Sequence, residues 1–206
     1  MKLVKTLSLC AFLFMSSQAQ AMISQNFDTR DGITGRVNLN YGVGSAYDSD
    51  GGVVPRTMTT GRASAMPGWA LGNFIPALYG EYQMGYQQTP SDNISDSNLK
   101  GAGWLVGLGL TYRIQRFEIT GVLKGWGSYT QDKKDSKNRE SILMRPFGGA
   151  VSVEYFVMKI WELNTFVGLN FDYTTWNQIE QDGSLTDLYK NPTKTWTTAL
   201  SASFRY

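Results

Sequence analysis

Apolar and polar residues alternate with a period of two along much of this chain, and the alternation recurs in separate segments. The last segment shows it most clearly: the even positions from Trp196 to Tyr206 are mostly apolar or aromatic, and the odd positions are mostly hydroxyl residues. Successive side chains of a strand point to opposite faces, whereas a helix would mix the two classes. Six further segments alternate in the same way, at 33–43, 74–86, 104–114, 117–129, 147–157 and 163–173. The sequence therefore predicts an all-β protein.

The links between these segments indicate how the strands connect. Short links at Gln115-Arg116 and near Lys159-Ile160 alternate with long polar links at 88–100, 131–141 and 177–194. Transmembrane barrels combine an even number of antiparallel strands with short turns at one end and long loops at the other. That pattern requires an eighth strand, which we place at about 53–66 and expect to end at a Pro67-Gly68 turn. The alternative is one long loop over 46–68, but it would leave unpaired backbone in lipid.

The first residues have the features of an export signal. Lys2 and Lys5 precede an apolar stretch, and Ala19-Gln20-Ala21 supplies the small residues that signal peptidase requires, so we expect cleavage after Ala21. We assign 1–21 to the signal, 22–31 to a short periplasmic lead-in and 32–206 to the barrel. The chain has 19 basic and 17 acidic residues. Because two lysines belong to the signal, the remainder is formally neutral, and we expect no nucleic-acid partner.

The aromatic residues indicate which face of each strand meets lipid. They recur near the ends of the alternating segments, on the apolar face, as in the girdles of membrane barrels. A soluble β-sandwich or lipocalin-like barrel, with its apolar face inward, is the alternative. Its outer face would then consist of residues such as Gly103, Gly107 and Gly109, which are too small and bare for a solvated surface. The expected girdle consists of Tyr82, Tyr86, Trp104, Tyr112, Tyr129, Tyr155, Trp161, Tyr173 and Trp196.

The polar faces should then line a narrow lumen, since eight strands leave an interior just wide enough for side chains. Lone buried charges are costly, so we expect opposed charges to pair and to fill the lumen. Glu81 and Lys124 lie at similar heights and form the expected mid-lumen pair, although each has water or a nearer partner as an alternative. The expected lumen charges are Arg36, Arg113, Lys124 and Arg205 against Glu81, Glu118, Glu154, Glu162 and Asp172.

Glycines on the polar face are expected to make room for larger side chains across the lumen. Gly101, Gly103, Gly107 and Gly109 fall on that face, and Trp126, Phe166 and Tyr79 are the large residues that we expect opposite them. The same glycines are also consistent with a ligand channel.

The ending Phe204-Arg205-Tyr206 is similar to the C-terminal signal of outer-membrane barrels, which finishes aromatic-x-aromatic. With the alternating strands, the whole chain after the signal resembles the small outer-membrane β-barrel proteins of the OmpA-type transmembrane domain and its OmpX- and OmpW-like relatives. That resemblance implies eight strands, mobile outer loops and insertion by the barrel assembly machinery through Phe204 and Tyr206. Such signals usually carry a glycine where this chain has Ser201. The resemblance implies no single activity, because such barrels include anchors, adhesins, channels and enzymes.

The composition argues against an enzyme and against a cofactor. The chain has no histidine, and its one cysteine, Cys10, lies in the signal, so the usual nucleophile–base pairs are unavailable. Lys124 and Ser128 share a predicted face but would lie about 13 Å apart along a strand, too far for proton transfer. Asp48-Ser49-Asp50-Gly51 lacks the later glutamate of a calcium loop and is better explained as a turn. We expect no metal site.

The segment 131–140 is densely charged and predicts an outer loop. With Arg145 just below it, its cations could bind lipopolysaccharide phosphates or a surface partner; the alternative is a solvated loop above a rim arginine. We expect a monomer in the cell outer membrane, in contact with its lipid and lipopolysaccharide. The favoured function is a structural or surface-interaction barrel with a filled lumen. A narrow channel for ions or small apolar solutes is the second hypothesis, and a lipid-modifying enzyme the third.

Overall fold

The structure, a computed structural model, describes residues 31–48, 56–88, 99–134, 139–161, 163–181, 184–185 and 193–206. The predicted signal, nearly all of the lead-in, the Asp48–Gly51 turn beyond its first residue, and Glu162 lie outside the described residues. No described residue belongs to a helix long and apolar enough to cross a membrane. The strands are β1 (Gly32–Asp48), β2 (Arg56–Ala70), β3 (Phe74–Gln88), β4 (Leu99–Ile114), β5 (Phe117–Lys134), β6 (Arg139–Ile160), β7 (Leu163–Gln181), the two-residue β8 (Ser184–Leu185) and β9 (Thr193–Arg205).

Eight of these strands close into an antiparallel barrel. Each strand from β1 to β7 pairs with the next, β9 pairs with both β7 and β1, and β8 only extends the edge of β7. Closure gives every barrel strand two neighbours, so no strand edge is left open along the barrel wall. The fold is the eight-stranded up-and-down barrel that the sequence predicts.

Burial in this barrel is the reverse of burial in a soluble protein. Ile33 is 81 % exposed and Leu200 71 % exposed on the outer surface. Lys124 and Glu118, by contrast, are 1 % and 0 % exposed in the lumen. An apolar belt around a charged interior is the arrangement expected when hydrocarbon, not water, surrounds the protein.

The second strand exists, but its expected end at Pro67-Gly68 is wrong. Both residues continue β2 and pair with β1, and the chain turns at Leu71–Asn73, where Gly72 has a φ of 58°. Proline lacks an N–H group, and the ladder between β2 and β3 carries no pair at Pro67, while the β1 ladder runs on regularly. The proline therefore interrupts one of the two ladders here without ending the strand, and Gly68 is paired in both.

A bulge in β5 reverses two sequence expectations. Lys124 pairs with Gly107 of β4 but Trp126 pairs with Val106, so Gly125 is an extra residue on β5. Beyond a bulge the alternation shifts by one position, and residues exchange faces. Trp126, expected in the lumen, is 68 % exposed on the outer surface, and Tyr129, expected in the aromatic girdle, is 2 % exposed in the lumen.

The bulge makes a direct prediction about tryptophan fluorescence in lipid. In variants that keep one tryptophan and replace the others by phenylalanine, we expect lipids with brominated acyl chains to quench Trp126 as strongly as Trp104, because both lie on the outer surface. Trp176, which is 2 % exposed, should be quenched little. The measurement is steady-state fluorescence of the refolded variants in vesicles. Stronger quenching of Trp176 than of Trp126 would contradict the bulge.

Strands at the long-loop end extend further than the sequence indicates. The expected loop at 131–140 is largely a hairpin, in which β5 and β6 stay paired out to Lys134 and Arg139. In the same way β7 continues to Gln181, within the expected loop at 177–194. A membrane crossing needs only about 10 tilted residues. Because backbone pairing does not require apolar side chains, β5, β6 and β7 continue beyond the apolar belt as a polar ribbon.

Candidate functional site: the charged lumen

The lumen contains a first cluster of charges close to the end with the tight turns, built around Glu118 at the start of β5. Its carboxylate lies 3.3 Å from Arg36 Nη1, 3.1 Å from Arg113 Nε and 2.9 Å from Arg205 Nη2. Arg113 lies opposite Glu118 on the neighbouring strand β4, and Arg36 lies opposite Arg205 on the adjacent strands β1 and β9. Barrel closure brings these two pairs together across the lumen. All four side chains are at least nine-tenths buried.

Glu154 of β6 completes this first cluster. It pairs with Arg36 and accepts hydrogen bonds from two β9 hydroxyls, Ser201 Oγ and Ser203 Oγ, the latter at 2.9 Å. Arg36 Nη1 also donates to Thr120 Oγ1 at 2.9 Å. Buried carboxylates need several donors to offset the cost of leaving water. The hydroxyls of β9 therefore supply part of what water would otherwise provide.

A second cluster lies nearer the middle of the lumen and contains two cations and two carboxylates. Lys124 Nζ lies 3.1 Å from Glu81 Oε1 and also pairs with Asp172. Asp172 Oδ2 in turn lies 2.6 Å from Arg62 Nη1. Lys124 is thus shared between two carboxylates, and Asp172 between two cations, so the pairs form a single chain across the lumen.

Neutral groups hold the second cluster in place. Thr174 Oγ1 donates to Asp172 Oδ1 at 2.8 Å, and Arg62 Nη2 donates to Asn170 Oδ1 at 2.9 Å. The Tyr79 hydroxyl donates to Glu81, and its ring centroid lies 5.7 Å from Lys124 Nζ. Such additional hydrogen bonds orient each charge and limit the exchange of partners.

Apolar side chains fill the lumen beside the charges. At the loop end, the rings of Tyr129 and Trp176 have centroids 4.6 Å apart and form a buried cluster with Leu105. Trp176 Nε1 donates to Thr195 Oγ1 at 3.0 Å, which satisfies its only polar group. A Cβ at Gly101 would stand 2.4 Å from the Tyr129 ring, so this glycine leaves the space that the ring fills. A further buried cluster contains Met66, Tyr79, Val122 and Ala150.

The structure locates all but one of the charges that the sequence assigns to the lumen. Arg36, Glu81, Arg113, Glu118, Lys124, Glu154, Asp172 and Arg205 are all buried there. Sequence reasoning missed Arg62, which is 4 % exposed and faces the lumen opposite Asn40. Alternation gives no clear signal for it, because the two faces of β2 differ little in polarity. The expected set had four positive and five negative charges; with Arg62 the described residues place five positive and four negative charges in the lumen, and Glu162 lies outside them.

Most of the expected girdle lies on the outer surface. Tyr82, Trp104, Tyr155, Trp161 and Trp196 are exposed there, and Tyr86, Tyr112 and Tyr173 are half-buried. Rings stack in pairs at both ends: the centroids of Phe74 and Tyr112 are 4.8 Å apart near the turns, and those of Tyr173 and Trp196 are 4.3 Å apart toward the loops. Of the expected assembly signal, Phe204 is half-buried and Tyr206 exposed.

The structure also places the residues that the sequence analysis considers for catalysis and metal binding. After the bulge, Ser128 pairs with the outward-facing Trp104, so it does not share the lumen face of Lys124 as the sequence indicated. Within the described part of the chain, no three acidic side chains come together in a way that could hold a metal ion. What the lumen residues do together is fill the interior and neutralise one another's charge.

The comparisons with known proteins agree with this fold. No family model and no curated protein matches the sequence. Among solved structures, Ail of Yersinia pestis, crystallised with a heparin analogue, is 12 % identical over 85 % of this chain and 99 % of its own, with a TM-score of 0.52. Neisserial surface protein A is 13 % identical over 84 % of this chain and 96 % of its own, with a TM-score of 0.49. This chain has the fold of the small, eight-stranded outer-membrane β-barrels.

Proposed function

We propose that this protein is an outer-membrane barrel that holds a polar β-ribbon at the cell surface and is closed to solutes by its own lumen side chains. The observation that carries the proposal is the stack of buried groups inside the barrel: the Glu118 cluster, the Lys124 cluster and the Tyr129–Trp176 pair. Each joins side chains from strands that are not neighbours in the barrel. A wide pore would need these positions to be small or solvated.

The energetics of the charges favour a closed lumen. Removing one member of a buried ion pair costs about 3–5 kcal/mol, so a path that opened by separating Lys124 from both carboxylates would be rarely populated. The apolar cluster of Leu105, Tyr129 and Trp176 adds a barrier of a different kind, because it offers a passing ion no group that replaces water.

The extended strands give the proposed surface role its physical basis. β6 has 22 residues and β7 has 19, whereas about 10 residues suffice to cross the membrane. Short turns face the periplasm in such barrels and long connections face outward. The paired ends of β5, β6 and β7 would therefore project from the cell as a preformed sheet that a partner could contact.

The expectations about export, membrane insertion and catalysis are also part of this proposal. Residues 1–21 would direct export, and Phe204 and Tyr206 would present the C-terminal strand to the barrel assembly machinery. The backbone supports the second step: Tyr206 N donates to Gly35 O at 3.0 Å, so the last residue is already paired with β1. No histidine is available for the acid–base chemistry of a lipid-modifying enzyme, and we propose a non-enzymatic monomer.

Single-channel recording tests the closed lumen. In planar bilayers we expect the purified barrel to show no steady conductance, because both charge clusters and the aromatic pair block the lumen. We expect Lys124→Ala together with Trp176→Ala to produce discrete openings, since the pair removes two of the three obstructions.

The matched control for this recording is Lys159→Ala with Trp161→Ala, which removes the same residue types from exposed positions at the opposite end. It should stay silent. Steady cation- or anion-selective current through the unmodified protein would favour the narrow-channel hypothesis and reject the closed lumen.

A further inference from the structure

An oblique groove crosses the outer surface of the barrel between two rows of outward side chains. The pairing of the strands defines the upper row, in which Trp196, Tyr173, Gly149, Leu123 and Leu108 lie directly opposite one another on successive strands from β9 to β4. The lower row is formed in the same way by Thr198, Phe171, Val151, Gly121 and Leu110. The groove begins toward the loop end, beside β9, and descends across the apolar belt.

Two glycines open this groove in the middle. Gly149 interrupts the upper row and Gly121 the lower row, on the adjacent strands β6 and β5. A Cβ placed on Gly121 would meet no atom within 4 Å, so the space beside it is free. The groove has a volume of about 830 Å³ and is lined mainly by apolar atoms. Its size lies within the range of ligand pockets, about 300–1,000 Å³.

Two exposed cations stand at the upper end of the groove. Lys194 lies on the outer face of β9, two positions beyond Trp196 toward the loops, and Arg145 lies on the outer face of β6. Thr175 and Asn177 of β7 pair with them and separate them by one strand. From ordinary strand spacing and rise, their Cα atoms are about 12 Å apart. The Tyr173–Trp196 stack lies between these cations and the groove.

We propose that this surface binds a phosphorylated lipid of the outer leaflet, with phosphate held by Lys194 and Arg145 and one acyl chain lying in the groove. The order of the residue types along the surface matches the structure of such a lipid. The cations lie at headgroup height, the aromatic rings come next, and the apolar groove then descends into the hydrocarbon. A basic residue near an anionic headgroup contributes about five-fold in affinity. The inference does not depend on the closed lumen and stands or falls separately from it.

Charge complementarity is the reason for committing to an anionic lipid and not to a second copy of the barrel. In a second copy the same surface would bring Lys194 and Arg145 against an identical pair of cations if the two barrels packed through this face, which is repulsive. A neutral lipid would fill the groove but would gain nothing from the two cations. A phosphorylated lipid interacts with the groove and with both cations.

Native mass spectrometry of the refolded barrel, released from detergent micelles, tests the proposal. The probes are diphosphoryl lipid A, the same lipid after enzymatic removal of its phosphates, and inorganic phosphate alone. We expect the diphosphoryl lipid to bind at least about ten-fold more tightly than its dephosphorylated form, since two cations contribute. Inorganic phosphate at equal concentration should not displace it, because the chain in the groove supplies the rest of the affinity.

Separate variants test the two cations and the groove. Lys194→Gln with Arg145→Gln should weaken binding of the diphosphoryl lipid roughly 25-fold and abolish the preference for phosphate. Gly121→Leu should weaken both lipids several-fold, because its side chain occupies the groove. The matched controls are Lys159→Gln, an exposed cation at the turn end, and Gly61→Leu, an outward glycine of β2 with free space around it. Both controls should bind like the unmodified protein.

Every variant is first checked for the shift in electrophoretic mobility between unboiled and boiled samples, so that only folded barrels are compared. The proposal is overturned if the dephosphorylated lipid binds equally well, if free phosphate displaces the lipid, or if the control variants weaken binding as much as the test variants.

Discussion

Glu118→Gln is expected to lower the free energy of unfolding of the barrel by about 3–5 kcal/mol, the cost of leaving buried charges without their partner. The substitution keeps the shape of the side chain and removes the one carboxylate on which Arg36, Arg113 and Arg205 converge. Glu154 still pairs with Arg36, so the loss falls mainly on Arg205. The measurement is a urea titration of the barrel in lipid vesicles. Unfolding is monitored as the fraction of protein that keeps the electrophoretic mobility of the folded barrel.

Two further variants control for this result. Glu154→Gln removes a carboxylate that has one arginine and two serine partners, and it should cost less than Glu118→Gln. Combining Glu118→Gln with Arg205→Gln should recover part of the loss, because the arginine that loses its carboxylate is removed with it. A Glu118→Gln barrel within about 0.5 kcal/mol of the unmodified protein would show that the first cluster is solvated and does not stabilise the fold.

Lys124→Met is expected to have an effect of similar size in the second cluster. Methionine roughly preserves the volume of lysine, so the change removes the ammonium without opening a large cavity. Glu81 then loses its cation, while Asp172 keeps Arg62 at 2.6 Å. We expect the free energy of unfolding to fall by about 3–5 kcal/mol in the same urea titration.

A double variant distinguishes loss of the ion pair from a change in packing as the cause of the Lys124→Met effect. In the Lys124→Met, Glu81→Gln double variant the uncompensated carboxylate is gone, and most of the lost stability should return. Lys159→Met, at an exposed position, should change stability by less than about 0.5 kcal/mol. If the double variant were as unstable as Lys124→Met alone, the ion pair would not be the source of the stabilisation.

The sequence predicts lumen residues well where the two faces of a strand differ strongly. In β9 the outward positions include Trp196 and Leu200 and the inward positions include Ser201 and Arg205, so alternation alone separates them. In β2 the outward positions include Thr57, Thr59, Gly61 and Ala63, which are scarcely more apolar than the inward ones. The sequence therefore does not assign Arg62 to either face of β2. Only the pairing of β2 with β1 on one side and β3 on the other determines that Arg62 points inward.

The bulge in β5 shows a second limit of the same reasoning. Alternation assumes that each residue of a strand pairs with one residue of the neighbouring strand. No local sequence feature indicates that Gly125 is an additional, unpaired residue. The interchange of Trp126 and Tyr129 follows from how β5 fits between β4 and β6. Gly101, on the neighbouring strand β4, leaves the space that the Tyr129 ring occupies.

The repeated two-residue period and the spacing of the turns are sufficient to predict the closed barrel, its apolar exterior and most of the charges in the lumen. These features depend on the local geometry of a strand and on the cost of unpaired backbone groups in lipid. The partners of those charges, the faces on either side of Gly125 and the groove below Lys194 were decided by tertiary structure. They depend on register and curvature, which bring together residues far apart in the chain and which no single strand encodes.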